Sequence, residues 1–153
     1  MKIVRANLQG RPIIVTSLAG TAIFTAVAVA AAIAPKTLGG TAVVVDLVLF
    51  ALGVTAFLSA YGIAIGRSRF DAIGIGGLFF LAGSAPAPVR RLLLGALSVQ
   101  TVVAFATAGA RPFSPLAFGI LVPMFGLGLS GRWGARYGHF DPRDERGAHA
   151  AAP

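Results

Sequence analysis

The sequence predicts an all-α membrane protein: a four-transmembrane-helix bundle with a short glycine-rich re-entrant or interfacial segment. Hydrophobic residues make up 56% of the 153 residues and charged residues only 12%, whereas a soluble domain is about a quarter charged. The apolar residues are gathered into long blocks, and four of these are long enough to cross a hydrocarbon core about 30 Å thick. The lipid bilayer is therefore the expected solvent for most side chains.

The basic residues fall in alternate gaps between these blocks. Of the 13 Lys and Arg residues, all but Lys36 and Arg111 precede the first block, separate the second from the third, or follow the fourth. The residues in these three gaps are Lys2, Arg5, Arg11, Arg67, Arg69, Arg90, Arg91, Arg132, Arg136, Arg143 and Arg146. Because excess Lys and Arg mark the cytoplasmic side, the sequence predicts a multi-pass membrane protein with both termini in the cytoplasm.

The first span is expected at about 12–34, which contains no charged residue. Pro12 suits the first turn of a helix, where a backbone N–H has no intrahelical partner. A cleaved signal peptide is the alternative, since Ala32-Ile33-Ala34 resembles an A-x-A cleavage site. The apolar run is longer than the roughly 7–15 residues typical of a signal peptide, which favours a retained span.

The second span is expected at about 41–65, after a tight turn formed by Leu38-Gly39-Gly40. Asp46 is its only charged residue. Gly62 and Gly66 form a G-x-x-x-G pattern, a spacing that lets another helix approach closely. Glycine is frequent in membrane helices, so this pattern also has a chance explanation.

The apolar segment 72–85 is too short for a fifth span. As a helix it would reach roughly 21 Å, and basic residues flank both of its ends. If it crossed the membrane, the charge bias between the two sides would vanish. The sequence therefore predicts a re-entrant or interfacial segment that packs against the other helices, because exposed irregular backbone is not tolerated in lipid.

The last two spans are expected at about 92–110 and 114–131. Ser114 is a suitable N-cap and Pro115 a suitable first helical residue for the fourth span. Pro123 is expected to kink that span, since it removes one backbone hydrogen bond. Together the spans define a transmembrane domain over 1–138, followed by a tail over 139–153 that has little to bury and is predicted to be disordered.

Four residues form a candidate intramembrane polar site. They are Asp46, Gln100, Thr107 and Arg111. Asp46 is expected near the outer end of its span, where Arg111, Thr107 or Lys36 could pair with it. Gln100 is expected near mid-membrane, where an amide usually hydrogen-bonds to a neighbouring helix. A structural role is favoured for both residues, and ion or substrate transport is the alternative.

The fourth span carries two further patterns. Gly126, Ser130, Gly134 and Gly138 recur every four residues and are expected to form a smooth face for close helix packing. Trp133 and Tyr137 lie one helical turn apart beside arginines and are predicted to be interface anchors at the headgroup level.

The sequence lacks the residues that several classes of function require. The chain has no cysteine, and His139 and His149 both lie in the tail, so we expect no metal site, no haem ligand and no cofactor. No serine has a histidine partner and no carboxylate pair lies within the spans, so we expect no enzyme. The net charge of +8 is not arranged in a polar, aromatic-interleaved stripe, so nucleic-acid binding is not expected.

Several runs in the second half of the chain carry a resemblance. They are Arg111-Pro112-Phe113, Leu116-Ala117-Phe118-Gly119, Val122-Pro123-Met124 and Gly131-Arg132-Trp133-Gly134. With the alanine-rich composition, they resemble a family of small uncharacterised actinobacterial multi-span membrane proteins. The resemblance implies a multi-span protein of the bacterial inner (plasma) membrane and transfers no functional residue. The expected role is a non-catalytic subunit or accessory protein with a membrane-protein partner or a homo-oligomer, and the alternative is a small oligomeric channel or transporter.

Overall fold

The computed structural model describes residues 9–143 and contains four helices that are long and apolar enough to cross a membrane. These spanning helices are Arg11–Ile33 (α1), Pro35–Arg67 (α2), Ala87–Ala110 (α4) and the composite Pro115–Tyr137. A short helix, Ile75–Phe79 (α3), lies in the connection between α2 and α4. The predicted all-α bundle of four apolar helices is thereby confirmed.

The first two helices meet in a turn of one residue. Ala34 has φ −122° and ψ 66°, and Pro35 begins α2, as its fixed φ and missing N–H favour. The predicted turn at Leu38-Gly39-Gly40 is wrong, because these residues lie inside α2. Gly39 instead permits close packing, since a Cβ there would lie 3.5 Å from Pro115.

The fourth span consists of two different helices. A 3-10 helix, Pro115–Leu121 (η1), is followed by the α-helix Pro123–Tyr137 (α5). Ser114 caps η1 as predicted, and its hydroxyl oxygen accepts the N–H of Leu116 at 3.3 Å. The break at Pro123 confirms the expected interruption, and α5 continues past the span limit at residue 131 to Tyr137, next to residue 138, where the predicted transmembrane domain ends.

The η1–α5 span lies at the centre of the bundle. In its most apolar window 56% of the residues are buried, against 28–33% in the other three spans. Phe125 and Val122 form the core with Phe24 of α1, Leu49 of α2 and Ala104 of α4. The outward faces of the other helices are apolar and exposed, which places them against lipid.

The segment between α2 and α4 packs against α5. Leu78, Phe79 and Leu81 are buried, and the Phe79 ring stacks on Phe57 of α2 with ring centroids 4.6 Å apart. A Cβ at Gly131 of α5 would collide with Phe79. The predicted packing of 72–85 against the other helices is therefore observed.

Residues 139–143 follow α5 and are hydrogen-bonded to the same connecting segment. His139 N–H donates to Ser84 O at 2.9 Å, Ala72 N–H to Asp141 O at 2.8 Å, and Arg143 N–H to Phe70 O at 2.9 Å. The predicted disorder is wrong for residues 139–143, because these backbone bonds hold the strip in place. Residues 144–153 of the predicted tail, which include Arg146 and His149, lie outside the described residues. Lys2 and Arg5 also lie outside them.

Candidate functional site

The clearest polar arrangement inside the bundle is centred on Gln100 of α4. Its side chain is fully buried; Oε1 accepts the backbone N–H of Gly126 at 3.1 Å, and Nε2 donates to Thr21 Oγ1 at 2.7 Å. Because a backbone N–H can only donate, the orientation of the amide is determined. Thr21 in turn donates to Ser17 O at 2.7 Å. The predicted interhelical hydrogen bond of Gln100 is confirmed, and it joins α1, α4 and α5.

Asp46 of α2 is buried as deeply as the core residues. It is 3% exposed, and a Cβ added to Gly119 of η1 would lie 3.7 Å from its Oδ2. Among residues 9–143, its carboxylate takes part in no hydrogen bond and in no ion pair. Since α2 begins at Pro35, Asp46 lies about 16 Å along the helix, deeper than the sequence predicts.

The other two predicted members of the polar site do not approach Asp46. Arg111 donates from Nη2 to the carbonyl oxygen of Ala32 at 3.1 Å, which fastens the end of α4 to the end of α1. Thr107 donates to Val103 O of its own helix at 2.8 Å, and Lys36 is exposed. The pairing proposed for Asp46 does not form, because the early start of α2 carries Asp46 below the level of these groups.

The predicted small-residue face of α5 packs inside the chain. A Cβ at Gly126 would lie 3.2 Å from Leu97 Cα of α4, and one at Gly134 would collide with the Leu78 carbonyl. Ser130 is fully buried, and its hydroxyl has no hydrogen-bond partner in the described part of the chain. The face therefore serves close approach, as predicted, but it is used within the protein and is not presented to a partner.

A second small-residue contact, between α2 and α5, is not among the sequence predictions. A Cβ at Gly53 would lie 2.5 Å from the Phe125 backbone nitrogen, and one at Gly128 would collide with Gly53 O. The two backbones thus touch where the helices cross. A signal was present in the sequence: buried residues recur every three or four positions along α2, and most of them are small. The small ones are Gly39, Ala42, Gly53, Ala56, Ala60 and Ala64, while Asp46 and Leu49 occupy the positions between Ala42 and Gly53.

Trp133 has a different role from the one predicted. It is 1% exposed, and its Nε1 donates to Gln9 O at 2.7 Å. It packs with Ile14, Val89 and Leu93, so it fastens α5 to the start of α1. The prediction that Trp133 faces the headgroups is wrong, since its ring is needed to fill the space beside Gly10. Of the two predicted interface anchors, only Tyr137 lies at the surface, where it is 38% exposed.

Arg67 fastens the end of α2 to the end of α5. Its Nη1 donates to Ala135 O at 2.8 Å, its Nη2 donates to Gly138 O at 3.2 Å, and the guanidinium forms an ion pair with Asp71 at 2.8 Å. The same group lies 5.4 Å from the centre of the Phe140 ring. Carbonyls at a helix C-terminus attract cations, so the arrangement is favourable. From the sequence, Arg67 is predicted only to be one of the basic residues on the cytoplasmic side.

An open groove separates α1, α2 and α5 near the same end of the bundle. It encloses about 410 Å³, and its walls include Ile13 of α1, Leu52 of α2, and Leu129, Arg132 and Arg136 of α5. We refer to it as the arginine groove. The end of the bundle that carries these arginines and Arg67 is called the arginine-rich end.

The described residues contain no group of three or more His, Asp or Glu side chains placed to hold a metal ion. No family model, curated protein or solved structure matches the chain significantly. The resemblance to actinobacterial membrane proteins stays a prediction.

Proposed function

We propose that this protein is a non-catalytic integral subunit or accessory protein of a complex in the bacterial inner membrane, with both termini in the cytoplasm. The proposal rests on one observation, an open G-x-x-x-G face on α2. A Cβ at Gly62 or at Gly66 would meet no atom within 4 Å, so residues 9–143 leave this face uncovered. Small residues at this spacing let a second helix approach closely in a membrane.

The surroundings of the glycine pair support a helix–helix contact. Leu58, Tyr61 and Ile65 flank it and are 61%, 56% and 55% exposed. The opposite face of α2 is already packed against η1 and α5. Since the glycine face of α5 is used internally, the α2 face is where the proposed partner would pack.

Photo-crosslinking in native membranes tests this contact. A photoreactive residue at Ile65, next to the glycine pair, should give an adduct of defined mass with the partner, or with a second copy if the protein is a homo-oligomer. The matched position Val102 on α4 is 67% exposed and should give no such adduct. Mass spectrometry of the adduct identifies the partner.

Substitution of the glycines provides the control. G62I/G66I places two branched side chains on the open face and should abolish the Ile65 adduct. G40I/G109I adds the same bulk at two other open positions and should preserve it. An adduct that survives G62I/G66I contradicts the proposal.

The proposed orientation can be tested in the natural background, because the chain has no cysteine. F113C replaces a fully exposed side chain between α4 and η1, and it should react with a membrane-impermeant maleimide in intact cells. R69C, at the arginine-rich end, should react only after permeabilisation. The reverse pattern excludes cytoplasmic termini.

A small channel or transporter is the second candidate, and Asp46 is the observation that favours it. A deeply buried carboxylate without a donor or basic partner in the described chain is costly in a membrane and often marks an ion or proton path. Liposomes that contain the protein should then show a cation or proton flux that D46N abolishes. Gln100 weighs against this candidate, since its hydrogen-bonding groups are occupied by Thr21 and Gly126. Absence of flux, or equal flux in D46N, eliminates it.

A further inference from the structure

The arginine groove changes in character along its length. Phe125, Leu129, Arg132 and Arg136 recur at intervals of three or four residues, so they share one face of α5, and all four line the groove. The face is apolar toward the middle of the bundle and cationic toward its end. A bilayer changes in the corresponding order, from acyl chains to phosphate headgroups.

The opposite walls of the groove are apolar and open to the side. Pro12 and Ile13 line it from α1, and Leu52 and Ala56 line it from α2. Leu52 is 53% exposed, so the groove can be entered laterally from the surrounding lipid. Thr16 and Thr55 place hydroxyl groups along its length, and Thr55 donates to Ala51 O of its own helix.

The two arginines of the groove have charges that the described chain does not balance. Neither Arg132 nor Arg136 has a carboxylate within 4.0 Å among residues 9–143, in contrast to Arg67 with its partner Asp71. Two guanidinium groups one turn apart present several donors in a geometry that suits phosphate oxygens. Tyr137 lies on the same rim, where its phenol is suited to the headgroup level.

We propose that the arginine groove is a binding site for an anionic phospholipid. One acyl chain lies along Ile13, Leu52, Phe125 and Leu129, while Arg132 and Arg136 bind the phosphate. Charge complementarity selects this occupant, because the arginines favour an anionic headgroup over a zwitterionic one, and basic pockets between helices bind such headgroups. The inference does not rest on the proposed subunit role, since neither Gly62 nor Gly66 lines the groove.

Native mass spectrometry of the full chain, released from detergent with equal amounts of phosphatidylglycerol and phosphatidylcholine, tests the site. The wild type should retain phosphatidylglycerol preferentially. Each arginine is expected to contribute roughly 5-fold to this preference, so R132Q/R136Q should reduce it by about 25-fold. R69Q/R143Q removes the same charge from exposed positions outside the groove and should leave the preference within about 2-fold of the wild type.

A second variant tests the acyl-chain part of the site without altering charge. T55F fills the groove from an exposed position of α2 and should reduce phosphatidylglycerol retention at least 5-fold. If T55F has no effect while R132Q/R136Q does, the headgroup binds at the surface and the groove is not a lipid site. Equal loss in R69Q/R143Q, or displacement of the lipid by millimolar inorganic phosphate, also overturns the proposal.

Discussion

Gln100 accepts the backbone N–H of Gly126 at 3.1 Å, at the point where the fourth span changes from a 3-10 helix to an α-helix. In a regular α-helix this N–H would bond to the carbonyl of Val122. Here Phe125 N–H takes that carbonyl at 2.8 Å, because Pro123 tightens the first turn. The side-chain oxygen of Gln100 therefore replaces the Val122 carbonyl as the acceptor for the Gly126 N–H.

Replacing Gln100 should destabilise the bundle. Q100L leaves the Gly126 N–H and the Thr21 hydroxyl without this partner, and we expect a loss of about 1–2 kcal/mol in the free energy of unfolding. S98A, on the exposed side of the same helix, should change it by less than about 0.5 kcal/mol. Unfolding in mixed micelles measures both, and equal stability of Q100L and wild type would contradict the bridging role.

The crossing of α2 and α5 should be sensitive to a single methyl group. G128A directs a Cβ into the Gly53 carbonyl, so the helices must separate, at a cost of about 1–3 kcal/mol. G62A adds the same methyl group where nothing lies within 4 Å, and it should be neutral or slightly stabilising because alanine is the better helix former. Thermal denaturation in detergent compares the two, and a similar effect of both substitutions would contradict the close crossing.

Loss of Arg67 should loosen the strip that follows α5. R67A removes the bonds to Ala135 O and Gly138 O and the ion pair with Asp71. We expect at least tenfold faster hydrogen exchange at His139 and Arg143, which corresponds to about 1.4 kcal/mol of local stability. R69A removes an exposed neighbouring arginine and should leave these exchange rates unchanged.

The fluorescence of Trp133 distinguishes burial from an interfacial position. Since it is the only tryptophan and is 1% exposed, its emission should be blue-shifted and resistant to iodide. W133F keeps most of the packing but loses the bond to Gln9 O, so it should cost about 1 kcal/mol. Strong quenching of the wild type by iodide would show that the ring faces the headgroup region after all.

Neutralising Asp46 should stabilise the protein. D46N removes a buried charge without a compensating partner in the described chain, and we expect a gain of about 1–2 kcal/mol in the free energy of unfolding. D141N, at an exposed position, serves as the control and should have little effect. A destabilised D46N would indicate that the carboxylate is balanced by a bound cation or a donor.

The sequence predicts those features that depend on local composition. Spans, the Ser114 cap and the break at Pro123 follow from apolar length and from backbone chemistry, and the structure contains them. The interhelical hydrogen bonding of Gln100 is predictable, since an amide at mid-membrane needs a partner. The identity of its partners, Thr21 and Gly126, depends on how three helices meet.

The errors have physical causes that local patterns do not contain. Gly39 and Gly40 suggest a turn, but Pro35 begins the helix earlier, and this moves Asp46 away from Arg111. Trp133 beside two arginines has the composition of a headgroup anchor, yet its burial depends on where Gly10 and Leu93 lie in space. Arg67 similarly acquires its role from carbonyls about seventy residues later in the chain.

The central position of the last span has a consequence for biogenesis. The η1–α5 segment has the lowest mean hydropathy of the four spans, 1.3 against 1.7–2.3, and it is the last to be synthesised. Helices α1, α2 and α4 can partition into lipid on their own apolar character, whereas α5 gains most from the surfaces that they provide. A released chain truncated after Arg111 would thus leave three apolar helices around an unfilled slot, a substrate for membrane quality control.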